Sequence, residues 1–142
     1  MINLSRDKFQ LCDIQGRLFE LALRSGYDCP AFIEFFMNSP QAASLDDTYD
    51  RLQWAGEEYI LEDLEDTSGG LKKAGTVYSR EVMYWAGYIY RFWHYLTGES
   101  SRDIYRSADA DTMEQCWAGF HTLDPEMAVE NLKELSAPAP GI

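Results

Sequence analysis

Residues 79–98 read SREVMYWAGYIYRFWHYLTG, and this stretch decides the fold class. Ser79 is a typical helix N-cap and Gly98 a typical helix stop. Between them, apolar residues lie on nearly every side of the segment, a pattern typical of a helix buried at the centre of a protein. We therefore predict an all-α fold, an irregular multi-helix bundle around a buried central helix at about 80–97.

The flanking segments carry further helix signals. Ser5 predicts the start of a first helix that Gly26 ends, and Gly16 indicates an interruption, for which close contact with another helix is one explanation. A break is predicted at 67–70 and a loop at 71–77. Other helix starts are predicted at Pro30, Asp46 or Asp47, Ser100 or Ser101, Asp109 or Asp111, and Asp124-Pro125, and Ser39-Pro40 predicts a short turn or a third helix. The segment 57–66 is predicted to continue as an acidic helical stretch. Since no stretch alternates apolar and polar residues, no strand is predicted.

Length and composition predict one folded domain with a strongly acidic surface. Of 142 residues, 46% are apolar and 14% aromatic, which is enough for a core. We predict a single helical domain over residues 1–135 and a disordered tail over 136–142, where the sequence is low in complexity. The net charge of −12 would be repelled by a nucleic-acid backbone and attracted by a basic protein surface.

Cysteine usage and hydropathy predict a cytoplasmic protein. The three cysteines, Cys12, Cys29 and Cys116, are odd in number and none forms a CxxC pair, which favours a reducing compartment. Residues 1–7 carry none of the features of a signal peptide. The longest apolar stretch, residues 82–96, contains Arg91 and His94 and is shorter than the roughly 20 residues of a membrane span, so no membrane segment is predicted.

The segment 46–66 concentrates the negative charge. Nine carboxylates against Arg51 leave −8 of the total −12 there: Asp46, Asp47, Asp50, Glu57, Glu58, Glu62, Asp63, Glu65 and Asp66. We interpret these nine residues as a partner-binding face for a basic protein, since charge speeds association. The alternative is a solvated, solubilising face. Tyr59, Ile60, Leu61 and Leu64 are predicted to form the apolar side of this helix.

Few residues of the sequence suggest a catalytic, metal or cofactor site. No Glu-x-x-His pair accompanies the acidic segment, and no known catalytic or phosphate-binding motif occurs, so we predict no metal site, no cofactor and no enzyme. His94 is interpreted as a core or boundary residue, and His121 as a residue that contacts the last carbonyls of its helix. A small enzyme that uses either histidine stays open as a third hypothesis.

Aromatic residues follow the central helix. They are Tyr84, Trp85, Tyr88, Tyr90, Phe92, Trp93 and Tyr95. We predict that they belong to the core. Part of this stripe lining a partner groove stays open, because tyrosine and tryptophan tolerate half-burial.

A degenerate helix-turn-helix gives a second hypothesis, a DNA-associated transcriptional regulator. The segment 101–106, a turn at Ala108 and a helix from Asp111 have suitable lengths. However, no Lys or Arg occurs between Asp109 and Glu130. Nucleic acid is therefore not the expected partner.

The segments 90–105, YRFWHYLTGESSRDIY, and 120–128, FHTLDPEMA, carry a resemblance. They are similar to a pattern in a family of small, uncharacterised all-helical bacterial proteins, over roughly residues 80–132. Some members of that family are thought to be encoded beside toxin-like genes, so the resemblance implies an antitoxin-like role. It implies no catalytic residue.

Together these observations predict a cytosolic protein-binding module. It would be an antitoxin-like neutraliser that presents the acidic helical face to a basic partner. The identity of that partner and homo-oligomer formation are left open by the sequence.

Overall fold

The computed structural model describes residues 4–47 and 51–137, which form an all-α, multi-helix fold with a packed core. The helices, numbered in chain order, are α1 (Arg6–Arg24), α2 (Cys29–Met37), α3 (Pro40–Asp46), α4 (Glu57–Ser68), α5 (Arg80–Thr97), α6 (Ser101–Ser107), α7 (Ala110–Phe120) and α8 (Pro125–Ser136). A short 3-10 helix, Arg51–Trp54, precedes α4. Within these ranges the only β contact is an isolated bridge between Tyr27 and Lys73.

The predicted central helix is confirmed as α5. It packs against α1, α6, α7 and α8, most extensively against α1. Trp85, Tyr90, Phe92 and Trp93 are buried, as predicted for the aromatic stripe. Tyr84, Tyr88 and Tyr95 are half-buried instead, so part of α5 faces the surface.

Two glycines allow α1 and α5 to approach closely. A Cβ at Gly87 would lie 2.5 Å from the carbonyl oxygen of Gln15 and 2.9 Å from the Cα of Gly16. A Cβ at Gly16 would lie 2.7 Å from the ring of Tyr84. The predicted interruption at Gly16 is wrong, because α1 continues through it; the predicted close helix contact is confirmed.

Most of the predicted helix starts are confirmed by their capping bonds. Side chains of Ser5, Ser39, Ser79, Ser100, Asp109 and Asp124 each accept a hydrogen bond from a backbone N–H of the first turn. The helix predicted to begin at Pro30 begins at Cys29, with Asp28 as its cap. Helix α4 ends slightly later than the predicted break at 67–70, because Thr67 and Ser68 are still helical and Gly69 is the C-cap.

The predicted helix start at Asp46 or Asp47 is wrong. Asp46 is the last residue of α3 and Asp47 follows as its C-cap. Among the described residues between α3 and α4, positions 51–54 form a 3-10 turn, and Tyr49 lies outside the described residues. The carboxylate of Asp46 does not cap a helix of its own because it forms an ion pair with Arg91 and accepts two hydrogen bonds from Ser101, one of them from the backbone N–H at the start of α6.

A loop at 69–79 joins α4 to α5 and is fastened by Asp28. This carboxylate accepts hydrogen bonds from Ala31 N–H at 2.9 Å and from Thr76 N–H at 2.7 Å. One buried side chain therefore caps α2 and holds the predicted 71–77 loop in place.

At the other end of the chain, α8 reaches Ser136, one residue into the predicted tail, and residues 138–142 lie outside the described part. None of the helices in the described ranges combines the length and the apolar character that crossing a bilayer requires.

Candidate functional site

The exposed face of α4 carries most of the predicted partner-binding residues. Ile60, Leu61 and Leu64 are buried against the core, as predicted. The opposite face is exposed and consists of Glu58, Tyr59, Glu62, Glu65 and Asp66. We call these five residues the acidic face.

Glu58, Glu62 and Asp66 form one row along this face. They are spaced four residues apart, so each carboxylate lies one helical turn from the next, an arrangement that destabilises a helix by like-charge repulsion. In the described part of the chain, no ion pair or side-chain hydrogen bond to these three residues is observed. Glu58 lies in the first turn of α4, where the helix dipole favours a negative charge, whereas Glu62 and Asp66 lie beyond that turn.

The other predicted carboxylates have intramolecular roles. Glu57 lies 3.8 Å from the guanidinium of Arg17, and Asp63 accepts a hydrogen bond from Gln41 at 2.9 Å. Glu65 accepts a hydrogen bond from the hydroxyl of Tyr27. Burial and this carboxylate together raise the pKa of Tyr27 to about 12. These contacts orient α4 on α1 and α3.

Three predicted residues lie before α4. The side chain of Asp46 is 13% exposed and points to Arg91 rather than to solvent. Asp47 is exposed at the end of α3. Asp50 lies outside the described residues.

Two aromatic side chains beside the acidic residues are exposed, which the sequence did not predict. Tyr59, predicted to lie on the apolar side of α4, is 56% exposed, and Trp54 is 76% exposed. Tyr59 lines a groove of about 630 Å³ together with Leu52 and Asp63. The helical periodicity explains Tyr59, since position 59 lies with 58, 62 and 66 and away from 60, 61 and 64.

A buried polar network holds the end of α3 against α5 and α6. Arg91 is 1% exposed, and its guanidinium contacts Asp46 at 2.6 Å, Gln15 at 2.8 Å and Ser101 at 3.2 Å. Gln15, also buried, donates to the carbonyl of Gly87 at 3.0 Å. The sequence signal was a charged residue inside an apolar helix, which requires a buried partner. Through these contacts Arg91 joins four helices, α1, α3, α5 and α6.

His94 lies at the edge of this network. Its Nδ1 is 2.6 Å from the carbonyl oxygen of Glu99 and 3.6 Å from Asp46 Oδ1. Because a carbonyl oxygen only accepts, Nδ1 carries the proton. The ring also lines a groove of about 490 Å³ that includes Lys8, Trp54 and Tyr95. The prediction of a boundary position is confirmed, since the side chain is 14% exposed.

His121 occupies the end of α7, as predicted. Its Nδ1 donates to the carbonyl of Trp117 at 2.7 Å, and its ring stacks on that of Trp117 at 4.0 Å. Both histidines thus border surface grooves. The groove at His94 also contains Ser5, whose hydroxyl oxygen accepts the capping hydrogen bond at the start of α1. Within the described residues no three His, Cys, Asp or Glu side chains gather in a metal-binding arrangement.

The two helices of the suggested helix-turn-helix are present as α6 and α7. The exposed polar side chains of α7 are Asp111, Glu114 and Gln115. Such a helix would approach a phosphate backbone with like charge. The geometry of α7 therefore offers no support for DNA reading.

Comparison with known proteins gives no relative from which a function could be transferred. No protein-family model, no curated protein and no solved structure matches this chain.

Proposed function

We propose that this protein is a binding module that presents the acidic face of α4, flanked by Trp54, to a basic surface on another protein. The observation that carries the proposal is the charge density of α4. Glu58, Glu62 and Asp66 form an exposed row on a helix that has six carboxylates and no Lys or Arg. A similar row on α8 belongs to a helix that has only three carboxylates and also holds Lys133. Repulsion along the row on α4 weakens this helix, and although the helix dipole favours Glu58 in the first turn, no described ion pair offsets the charges of Glu62 and Asp66. A basic partner would offset this repulsion, because its Lys and Arg side chains would attract the carboxylates.

The exposed rings supply the second requirement of a specific interface. Charge at an interface mainly accelerates encounter, whereas buried aromatic side chains hold the complex together. Trp54 and Tyr59 are both more than half exposed and lie just before and within the first turn of α4. Burial of these two rings by a partner would provide the apolar centre, and the carboxylates would form the charged rim.

The cellular setting belongs to the same proposal. Cys12 and Cys29 are buried and unpaired, and Cys116 is half-buried and unpaired, which fits a protein of the reducing cytosol. Together with the resemblance of residues 80–132, this supports a cytosolic, antitoxin-like neutraliser as the finer form of the proposal.

A pair of matched double variants tests the acidic face. Glu62→Gln/Asp66→Asn removes two charges from α4, and Glu130→Gln/Glu134→Gln removes two from α8. Each pair is exposed and occupies the sixth and tenth positions of a 12-residue helix. The wild-type chain is used to capture binding partners, with the product of the neighbouring gene as the first candidate. The α4 variant should lose these partners, and the α8 variant should keep them.

The captured partner is then measured in purified form. We expect its association rate to fall as salt rises, and Trp54→Ala to accelerate dissociation without altering that salt dependence. Equal binding by both double variants, or a complex that is insensitive to salt, would refute the acidic face as the binding surface.

A further inference from the structure

A second surface feature lies away from α4, where part of α5 is not covered by α7. It is a groove of about 640 Å³, and this volume falls in the range of small-molecule sites. The residues that line it include Tyr84, Trp85, Tyr88, Trp117, His121 and Leu123. Five of these six side chains carry aromatic rings.

The walls of the groove are held in position by internal contacts. Trp85 and Ile89 are buried and form its floor. The hydroxyl of Tyr84 donates to Asp13 at 2.5 Å, and the rings of Tyr84 and Tyr88 lie 6.1 Å apart. On the other side, Trp117 and His121 are stacked. A ligand would therefore meet aromatic walls that are already formed.

Two carboxylates and one guanidinium set the charge at the rim. Arg80 lies 3.7 Å from Glu20 and 3.9 Å from Glu81, and its side chain is 69% exposed. Both ion pairs are long, so Arg80 can move into solvent at little cost. The rim thus keeps a net charge of about −1, while burial and the hydrogen bond to Asp13 raise the pKa of Tyr84 and keep its phenol neutral.

We propose that this groove binds a small organic cation, an ammonium group attached to an apolar or aromatic body. The negative faces of tyrosine and tryptophan rings attract such a cation, and Glu20 and Glu81 add charge of the right sign. An anion would instead compete with both carboxylates for Arg80. The site shares no residue with the acidic face, so the two proposals stand or fall separately.

The test uses three probes of similar size and different charge: benzyltrimethylammonium, benzyl alcohol and benzenesulfonate. Titration into the full chain is followed by the indole N–H signals in NMR spectra at constant ionic strength. The four tryptophans provide an internal control, because Trp85 and Trp117 line the groove whereas Trp54 and Trp93 do not. We expect the cation to shift Trp85 and Trp117 and to bind about fivefold or more tightly than benzyl alcohol.

Charge variants separate recognition from simple apolar binding. Glu81→Gln changes an exposed rim residue and should weaken binding of the cation about threefold, with binding of benzyl alcohol unchanged. Glu130→Gln, on the exposed face of α8, should change neither. Trp117→Leu should abolish the response, with urea unfolding used to show that the variant is folded. Equal affinities for all three probes, shifts confined to Trp54, or an unchanged affinity in Glu81→Gln would overturn the proposal.

Discussion

Gly87 is the residue at which the contact between α1 and α5 is least tolerant of change. The atoms that a Cβ would meet belong to the backbone of α1, which cannot rotate away as a side chain can. Gly87→Ala should therefore force the two helices apart and lower the free energy of unfolding by about 1–3 kcal/mol. Chemical unfolding followed by circular dichroism measures this loss.

Gly119 provides the matched control for Gly87. It also lies inside a helix, α7, but a Cβ there would meet no atom within 4 Å. Gly119→Ala should leave stability unchanged or raise it by up to about 1 kcal/mol, because alanine favours helix more than glycine does. If both substitutions had the same effect, helix propensity rather than the close contact would be the cause.

The buried ion pair between Arg91 and Asp46 is a second site where we expect a single substitution to lower stability strongly. Asp46→Ala leaves the guanidinium of Arg91 buried without its carboxylate, and we expect a loss of about 3–5 kcal/mol in the free energy of unfolding. Removing the exposed pair through Asp103→Ala, which frees Arg106, should cost less than about 1 kcal/mol. A loss of similar size at the two sites would show that Arg91 finds compensation elsewhere.

Among the elements, the 69–79 loop depends on the charge of Asp28. Burial alone would raise the pKa of this carboxyl, but hydrogen bonds from Thr76 N–H and Ala31 N–H, with help from Lys72, outweigh burial and hold it below its ordinary value. The unfolded chain then binds this proton at a higher pH than the native chain. The stabilisation is complete above the unfolded pKa of about 3.9 and is lost as the pH falls through the native value.

Asp28→Asn tests this dependence. The variant should be less stable than the wild type at neutral pH, and the difference should shrink as the pH falls below about 4. Urea unfolding over an acidic pH series measures both curves, and the exposed Asp103→Asn serves as the control. A difference that persists at the lowest pH would mean that geometry, rather than the charge of Asp28, fastens the loop.

Local signals predicted the elements well because helix caps are local. Ser5, Ser79, Ser100 and Asp109 satisfy N–H groups within three residues of themselves, so the chain sequence alone specifies them. Asp46 resembles such a cap, yet its partners, Arg91 and Ser101, lie 45 and 55 positions away. No local pattern could show that, and the predicted helix start was therefore wrong.

The candidate site was predicted in composition but not in geometry. Carboxylate density identified the segment 46–66, whereas its division into exposed and engaged residues depends on Arg91, Arg17 and Tyr27, which are distant in sequence. No sequence pattern predicted that Trp54 is exposed, because the exposure of its ring depends on how the 3-10 helix packs against the rest of the fold.

For the whole molecule, the net charge of −12 acts through its distribution. Acidic self-repulsion should make the wild-type chain more stable as sodium chloride screens it. Glu62→Gln/Asp66→Asn should raise stability at low salt and flatten this salt dependence, because it removes charges that face further carboxylates. Glu130→Gln/Glu134→Gln removes charges from the same positions of α8, where Glu126 completes a similar row. Because α8 holds three carboxylates and Lys133, whereas α4 holds six carboxylates and no Lys or Arg, its effect should be smaller.

These two double variants also distinguish a functional face from a solubilising one. If the charge only keeps the chain soluble, both variants should lower solubility equally, and both should retain every partner. If α4 gives up stability for binding, the α4 variant alone should be more stable and unable to bind, a trade-off typical of functional sites. Urea midpoints over a salt series, measured beside partner capture, decide between these outcomes.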